Sequence, residues 1–89
     1  MHTHSSHPSV IKRLKRANGH INKVVSMIEE GRPCVEVAQQ LQAVYSALGS
    51  AKRVFIEDHI EGCLDAEAIE NSRQARESIN SFKEITKYL

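Results

Sequence analysis

From Ser9 onward the apolar positions recur with helical spacing. Ile11, Leu14, Ile21, Val24, Val25 and Ile28 fall three, four or seven residues apart, with Ala17 filling the gap. These positions are the expected core face of a first helix. Gly19 weakens its middle slightly, and the stretch EEGRP ends it. Gly31 suits a C-terminal cap, and Pro33 suits the first turn of the next helix. A second helix is expected from about residue 33 to residue 62, with Val37, Ala38, Leu41, Val44, Leu48, Ala51, Phe55 and His59 along one stripe. It is longer than the usual globular helix, which points to bundle or coiled-coil packing. The stretch GCLDAEA then breaks the pattern, and Asp65 is placed to cap a third helix. Ile69, Ile79, Phe82 and Ile85 give that helix a sparser apolar face, ending at Leu89. No segment alternates as a strand does. The expected fold class is all-α, with a short, a long and a short helix. Residues 1–8, MHTHSSHP, read as a flexible His-rich arm, and residues 9–89 as a single three-helix domain.

Composition adds three constraints. At 89 residues the chain makes one domain, and tryptophan is absent. So small a domain buries a modest core, so core formation is expected to continue across a subunit interface. No apolar run approaches the ~18 residues of a membrane span, and no secretory signal pattern opens the chain. The expected setting is cytoplasmic, where thiols stay reduced, and Cys34 and Cys63 there suggest a metal or a reactive thiol. The net charge of +1 hides a polarised chain. Lys12, Arg13, Lys15, Arg16 and Lys23 precede the first acid, Glu29, whereas Glu57, Asp58, Glu61, Asp65, Glu67 and Glu70 carry no compensating base among them. A compact basic block suits a polyanion such as double-stranded DNA, although a charge run alone is more often a solvated helix face. No nucleophile–base–acid set and no phosphate-cradling glycine loop occurs, so an enzyme is not expected.

The candidate chemistry lies in DHIEGC and GRPC. His59 and Cys63, at i and i+4, share a helix face and form a bidentate clamp. Cys34 is the third donor. On one straight helix it would stand roughly 37 Å from His59, against metal–ligand bonds of about 2 Å. A second subunit packed antiparallel resolves this. Cys34 at the start of one long helix then meets His59 and Cys63 at the end of its partner, giving two equivalent sites. The plain alternative is a small buried cysteine and an unremarkable histidine, and a structural zinc site is also open.

The segments VIKRLKRANGHI, GRPCVEVAQQLQAV and DHIEGCL resemble the CsoR/RcnR family of bacterial metal-sensing repressors, from about Val10 to Leu89. The resemblance implies an antiparallel dimer, a dimer-of-dimers tetramer, and operator DNA bound without inducer and released with it, derepressing a metal exporter. It assigns Cys34, His59 and Cys63 to the metal. His2 matches the spacing of an extra N-terminal histidine in nickel and cobalt members, with His4 or His7 as substitutes. It assigns Lys12, Arg13 and Arg16 to DNA, with Lys52 and Arg53 extending that surface. Two thiolates and one imidazole suit Cu(I); a second nitrogen from His2 suits Ni(II) or Co(II). Copper members place a tyrosine before the first cysteine and a third-helix glutamate behind the histidine. Pro33 and Ile79 stand at those positions here, so the supporting shell of copper members is expected to be missing and nickel or cobalt is slightly favoured. Formaldehyde- and persulfide-responsive members fit less well. They remain open because Cys34, at a helix start, is placed to react as a thiolate. A metal-buffering bundle without DNA binding is the rival from another class.

Overall fold

A computed structural model describes residues 6–63 and 72–89, with the backbone alone at Cys63 and Ser72. Three helices make up almost all of it: α1 (His7–Glu29), α2 (Cys34–Cys63) and α3 (Ser72–Thr86). No strand occurs among the described residues. The first helix starts two residues earlier than its apolar pattern, with His7 and Pro8 in its first turn, where proline is tolerated. The expected Asp65 cap and Ile69 lie outside the described residues.

The α1–α2 turn is built by Gly31. Its φ of 72° is left-handed, and the Arg32 N–H donates to the Met27 carbonyl while the Gly31 N–H donates to that of Ile28. This is the Schellman arrangement, which satisfies carbonyls that the helix end would otherwise leave open. Val37 N–H donates to the Pro33 carbonyl, so α2 begins directly at Cys34.

The chain divides into two compact units, one of Pro8–Lys52 and one of Met1–His7 with Arg53–Leu89. In the first unit Val10, Ala17, Val24 and Met27 of α1 are buried, as are Val44 and Ala51 of α2. His20 Nε2 and Gln40 Oε1, 2.6 Å apart, tie the two helices together. In the second unit Ile56 is buried, with Phe82 and Ile85 half-buried.

The apolar stripes therefore split, against expectation. On α1 Val10, Ala17 and Val24 repeat every seven residues and are buried, while Ile11, Leu14, Ile21, Val25 and Ile28 are exposed. On α2 Val44 and Ala51 are buried, whereas Ala38, Leu41, Leu48 and Phe55 are exposed; Tyr45, missed by the pattern, is 75% exposed. Periodicity cannot separate these sets, because residues one position apart sit only about 100° around a helix. Each long helix thus carries two adjoining apolar stripes, only one of which a single chain covers.

Gly31→Ala is expected to lower the unfolding free energy by about 1 kcal/mol through left-handed strain alone. No atom within 4 Å would obstruct the added methyl. Urea unfolding at fixed protein concentration checks this, and an unchanged midpoint would remove the turn from the stability argument.

Candidate metal centre and basic face

The proposed donors sit on one helix. α2 is unbroken from Cys34 to Cys63, so Cys34 occupies its first position and His59 its last turns. Cys34 is exposed and its thiol is free. His59 is half-buried, with Nε2 2.7 Å from Ser81 Oγ on α3. The side chain of Cys63, and His2 with His4, lie outside the described residues. No group of three metal-capable side chains occurs among the described residues of one chain. This accords with the separation of Cys34 from His59 along α2.

Ser81 is a contact that the sequence did not reveal. Ile79, expected where a supporting group would stand, is 55% exposed. Two residues on, Ser81 supplies a third-helix hydroxyl to His59. A neutral hydroxyl holds the ring. Nε2 and Ser81 Oγ share this hydrogen bond; in the tautomer whose Nε2–H donates to Oγ, the Nδ1 lone pair is left for a metal, the usual arrangement of a ligating histidine. The donors present, a free thiol and an imidazole oriented by its second nitrogen, fit a soft or borderline cation.

His7 opens α1 and packs on the same end of α2. Its ring stacks on Phe55 with centroids 5.1 Å apart and planes at 10°, and its Nε2 is 3.9 Å from Asp58 Oδ2. The sequence alone held His7 only as a spare ligand. A histidine 48 residues before Phe55 carries no signal that it will meet that aromatic ring.

The cations of α1 form a third face. Lys12, Arg16 and Lys23 recur four and seven residues apart, with Lys15 and Arg13 flanking them, and all are exposed. None of these five is ion-paired among the described residues, in contrast to Arg32 with Glu36, Arg73 with Glu77 and Lys87 with Glu84. Lys52 and Arg53 are exposed on α2. An unneutralised basic stripe beside a buried one is a surface able to meet phosphates. No helix among the described residues is long and apolar enough to cross a membrane.

The family model described as "Metal-sensitive transcriptional repressor" matches residues 6–88. The copper-sensing transcriptional repressor CsoR of Mycobacterium ulcerans is 39% identical over 67 residues, covering 75% of this chain and 57% of that protein. The copper-sensing repressor CsoR of Bacillus subtilis is 32% identical over 81 residues, covering 88% of this chain and 79% of its own length. Among solved structures, the nickel-responsive transcriptional regulator InrS superposes with a TM-score of 0.80 at 33% identity, covering 99% of this chain and 97% of that one. The chain spans a little over half the length of the mycobacterial relatives it matches.

Ser81→Ala is expected to cost about 1 kcal/mol of stability, the net worth of one such hydrogen bond, with Ser81→Thr retaining most of it. Paired urea curves would show this; equal losses in both variants would mean that packing, not the hydroxyl, holds His59.

Proposed function

The chain belongs to the family of metal-sensitive transcriptional repressors, and on that premise we propose that it is a homotetrameric repressor whose apo form holds operator DNA and whose metal-bound form releases it. The family is one of repressors and not of enzymes.

One observation carries the reading. On unbroken α2, Cys34, Ala38, Leu41, Tyr45, Leu48, Lys52, Phe55 and His59 follow alternating steps of four and three, the heptad spacing of a helix–helix seam. The apolar members between the two donors are exposed. Antiparallel pairing of this stripe about a two-fold axis sets Cys34 against the partner subunit's His59. The same register sets Ala38 against the partner's Phe55, Leu41 against the partner's Lys52, and Tyr45 against the partner's Leu48. The small residue meets the large one at each end, and the lysine stem covers apolar surface while its ammonium reaches the edge. Burying the seam and joining the donors are then one event. The exposed stripe of Ile11, Leu14, Ile21, Val25 and Ile28 on α1 supports a second pairing, of dimers into a tetramer.

Cys34 with the partner subunit's His59 and Cys63 makes the three-ligand set, and His2 makes a fourth nitrogen. Bound there, a transition metal supplies coordination bonds between helix ends that no other contact replaces. With His2 the set favours Ni(II) or Co(II) over Cu(I). The copper-sensing relatives favour the second reading, a three-ligand Cu(I) sensor without His2. In either case the ends of paired α2 helices become fixed. The α1 helix, buried with α2 in one unit through Val10, Ala17 and Val24, follows. Lys12, Arg13 and Arg16, with Lys52 and Arg53 at the margin, then lose their fit to the DNA phosphates. A coupling of about 1–3 kcal/mol suffices for such a switch. A reactive-carbonyl or persulfide inducer at Cys34, and metal buffering without DNA, are the outcomes that the tests below separate from it.

Anaerobic titration of the reduced protein with Ni(II) is expected to give an intense thiolate-to-nickel absorption band saturating at one metal per protomer and weakened by His2→Ala. Absence of the band together with tight Cu(I) binding would establish the copper reading instead. His59→Ala is expected to abolish the metal response while leaving apo DNA binding intact in a gel shift against the upstream region. Arg16→Ala should weaken DNA binding, lower the salt dependence by about one counterion, and leave metal affinity unchanged. Wild-type DNA affinity in that variant would refute this placement of the surface.

A further inference from the structure

The basic stripe of α1 runs into a groove that the DNA assignments above leave unused. The groove lies within the Pro8–Lys52 unit, where the last turns of α1 meet the first turns of α2, and its volume is about 210 Å³. It is lined by Lys23 and Met27 of α1, Arg32 of the turn, and Glu36, Gln39 and Gln40 of α2. Hydrogen-bond donors dominate it. Lys23 is exposed and makes no ion pair among the described residues. Arg32 gives Nε–H and Nη2–H to one oxygen of Glu36, at 3.1 and 3.0 Å, which leaves Nη1 to donate. An exposed pair of this kind adds little stability, but it fixes the guanidinium at the groove. Gln40 Oε1 can only accept, and it stands 2.6 Å from His20 Nε2. The Nε2–H therefore donates to it, and the Gln40 amide N–H groups stay available. Glu36 is the one acid on the lining, against two cations.

Helix geometry sets the direction in which the groove opens. Lys12, Arg16 and Lys23 fall within about 40° of one another around α1, whereas Ile21 and Val25 lie about 160° from Lys23. On α2, Gln39 stands about 160° from Leu41, and Glu36 about 160° from Ala38. The groove thus opens on the cationic side of the helix pair, away from both exposed apolar stripes. The subunit pairings proposed above leave it uncovered. We propose that this groove seats a phosphate of the operator backbone, held by Lys23 and Arg32 with the amides of Gln39 and Gln40, so that the duplex follows the cationic stripe as far as the α1–α2 turn. This rests on the sensor reading above. The occupant is a nucleic-acid backbone because the groove continues a line of unpaired cations, which a single small anion does not need. Guanidinium, ammonium and amide N–H groups are the donors that phosphate oxygens accept from in protein–DNA contacts. Such a seat carries no base information. It fixes the register and orientation of the protein along the duplex.

The test follows binding of the apo full chain to a duplex of its upstream region by fluorescence anisotropy over roughly 50–200 mM salt. The Lys23→Ala/Arg32→Ala double variant is expected to lower the salt slope by about one, so that its affinity falls about threefold less than that of the wild type over this range. The drop is one and not two because both cations serve one phosphate; a drop of about two would mean separate contacts and overturn the seat. Gln39→Lys is expected to tighten binding, a gain that misfolding cannot imitate, and Gln39→Glu to weaken it. Indifference to both Gln39 variants would overturn the seat. Arg73→Gln, which removes an ion-paired cation of α3, is expected to leave the slope unchanged. An equal drop there would make the effect one of net charge and overturn the seat as well. A slope unchanged in the double variant but lowered in Arg16→Ala would remove the groove and leave the sensor reading standing. No salt-dependent binding by the wild type would bring down the sensor reading and the groove with it. The side-chain amide resonances of Gln39 and Gln40 are expected to shift with the duplex and not with inorganic phosphate at equal phosphate concentration. The same shift with phosphate alone would assign the groove to a free anion and overturn the duplex.

Discussion

Cys34 and His59 occupy opposite ends of one uninterrupted helix, and most of what this protein can do follows from that separation. A helix is stiff and advances about 1.5 Å per residue, so its two ends cannot bind one ion. On the proposed reading, donors that chelate only across a subunit boundary make assembly and ligand capture a single problem. The same helix carries its exposed apolar residues in heptad register between those donors. The surface that needs a partner and the chemistry that needs a partner thus coincide. A pre-formed intrachain site would bind metal without reporting on assembly, whereas a shared one converts coordination into a change of helix geometry.

On the same reading, the division of α1 into three faces gives that change somewhere to act. One stripe is buried with α2, one is apolar and exposed, and one carries unpaired cations. A rotation or shift of such a helix moves all three together, because the side chains are fixed to one rigid rod. Coupling therefore needs no relay of contacts, only a helix that has two alternative seats. Satisfied termini help to keep the rod rigid, as at the Gly31 turn, where two backbone hydrogen bonds close α1.

The immediate surroundings of His59 show how little chemistry is needed to prepare a ligand. Ser81 engages one ring nitrogen and leaves the other for a metal. A hydroxyl supports the imidazole more weakly than a carboxylate would, and it adds no charge. One turn earlier on the same face, Phe55 offers a flat apolar surface to His7.

Three helices, the Gly31 stop and the metal-capable residues were legible from the chain because each is local. Periodicity of apolar residues marks a helix, glycine before proline marks its end, and thiol and imidazole announce themselves by type. The distance argument was legible too, since helix rise is a constant. Which of two adjacent apolar stripes a single chain buries was not, because Val24 and Val25 differ by one step on the helix and not at all in chemistry. Ser81 and His7 were equally hidden. A serine and a histidine have no pattern that predicts partners more than twenty residues away in sequence. Sequence by itself determined the elements and the candidate donors, because these depend on neighbours along the chain and on residue type. Only the tertiary structure decided which faces are covered and what holds His59, because these depend on which helices come together and in what register.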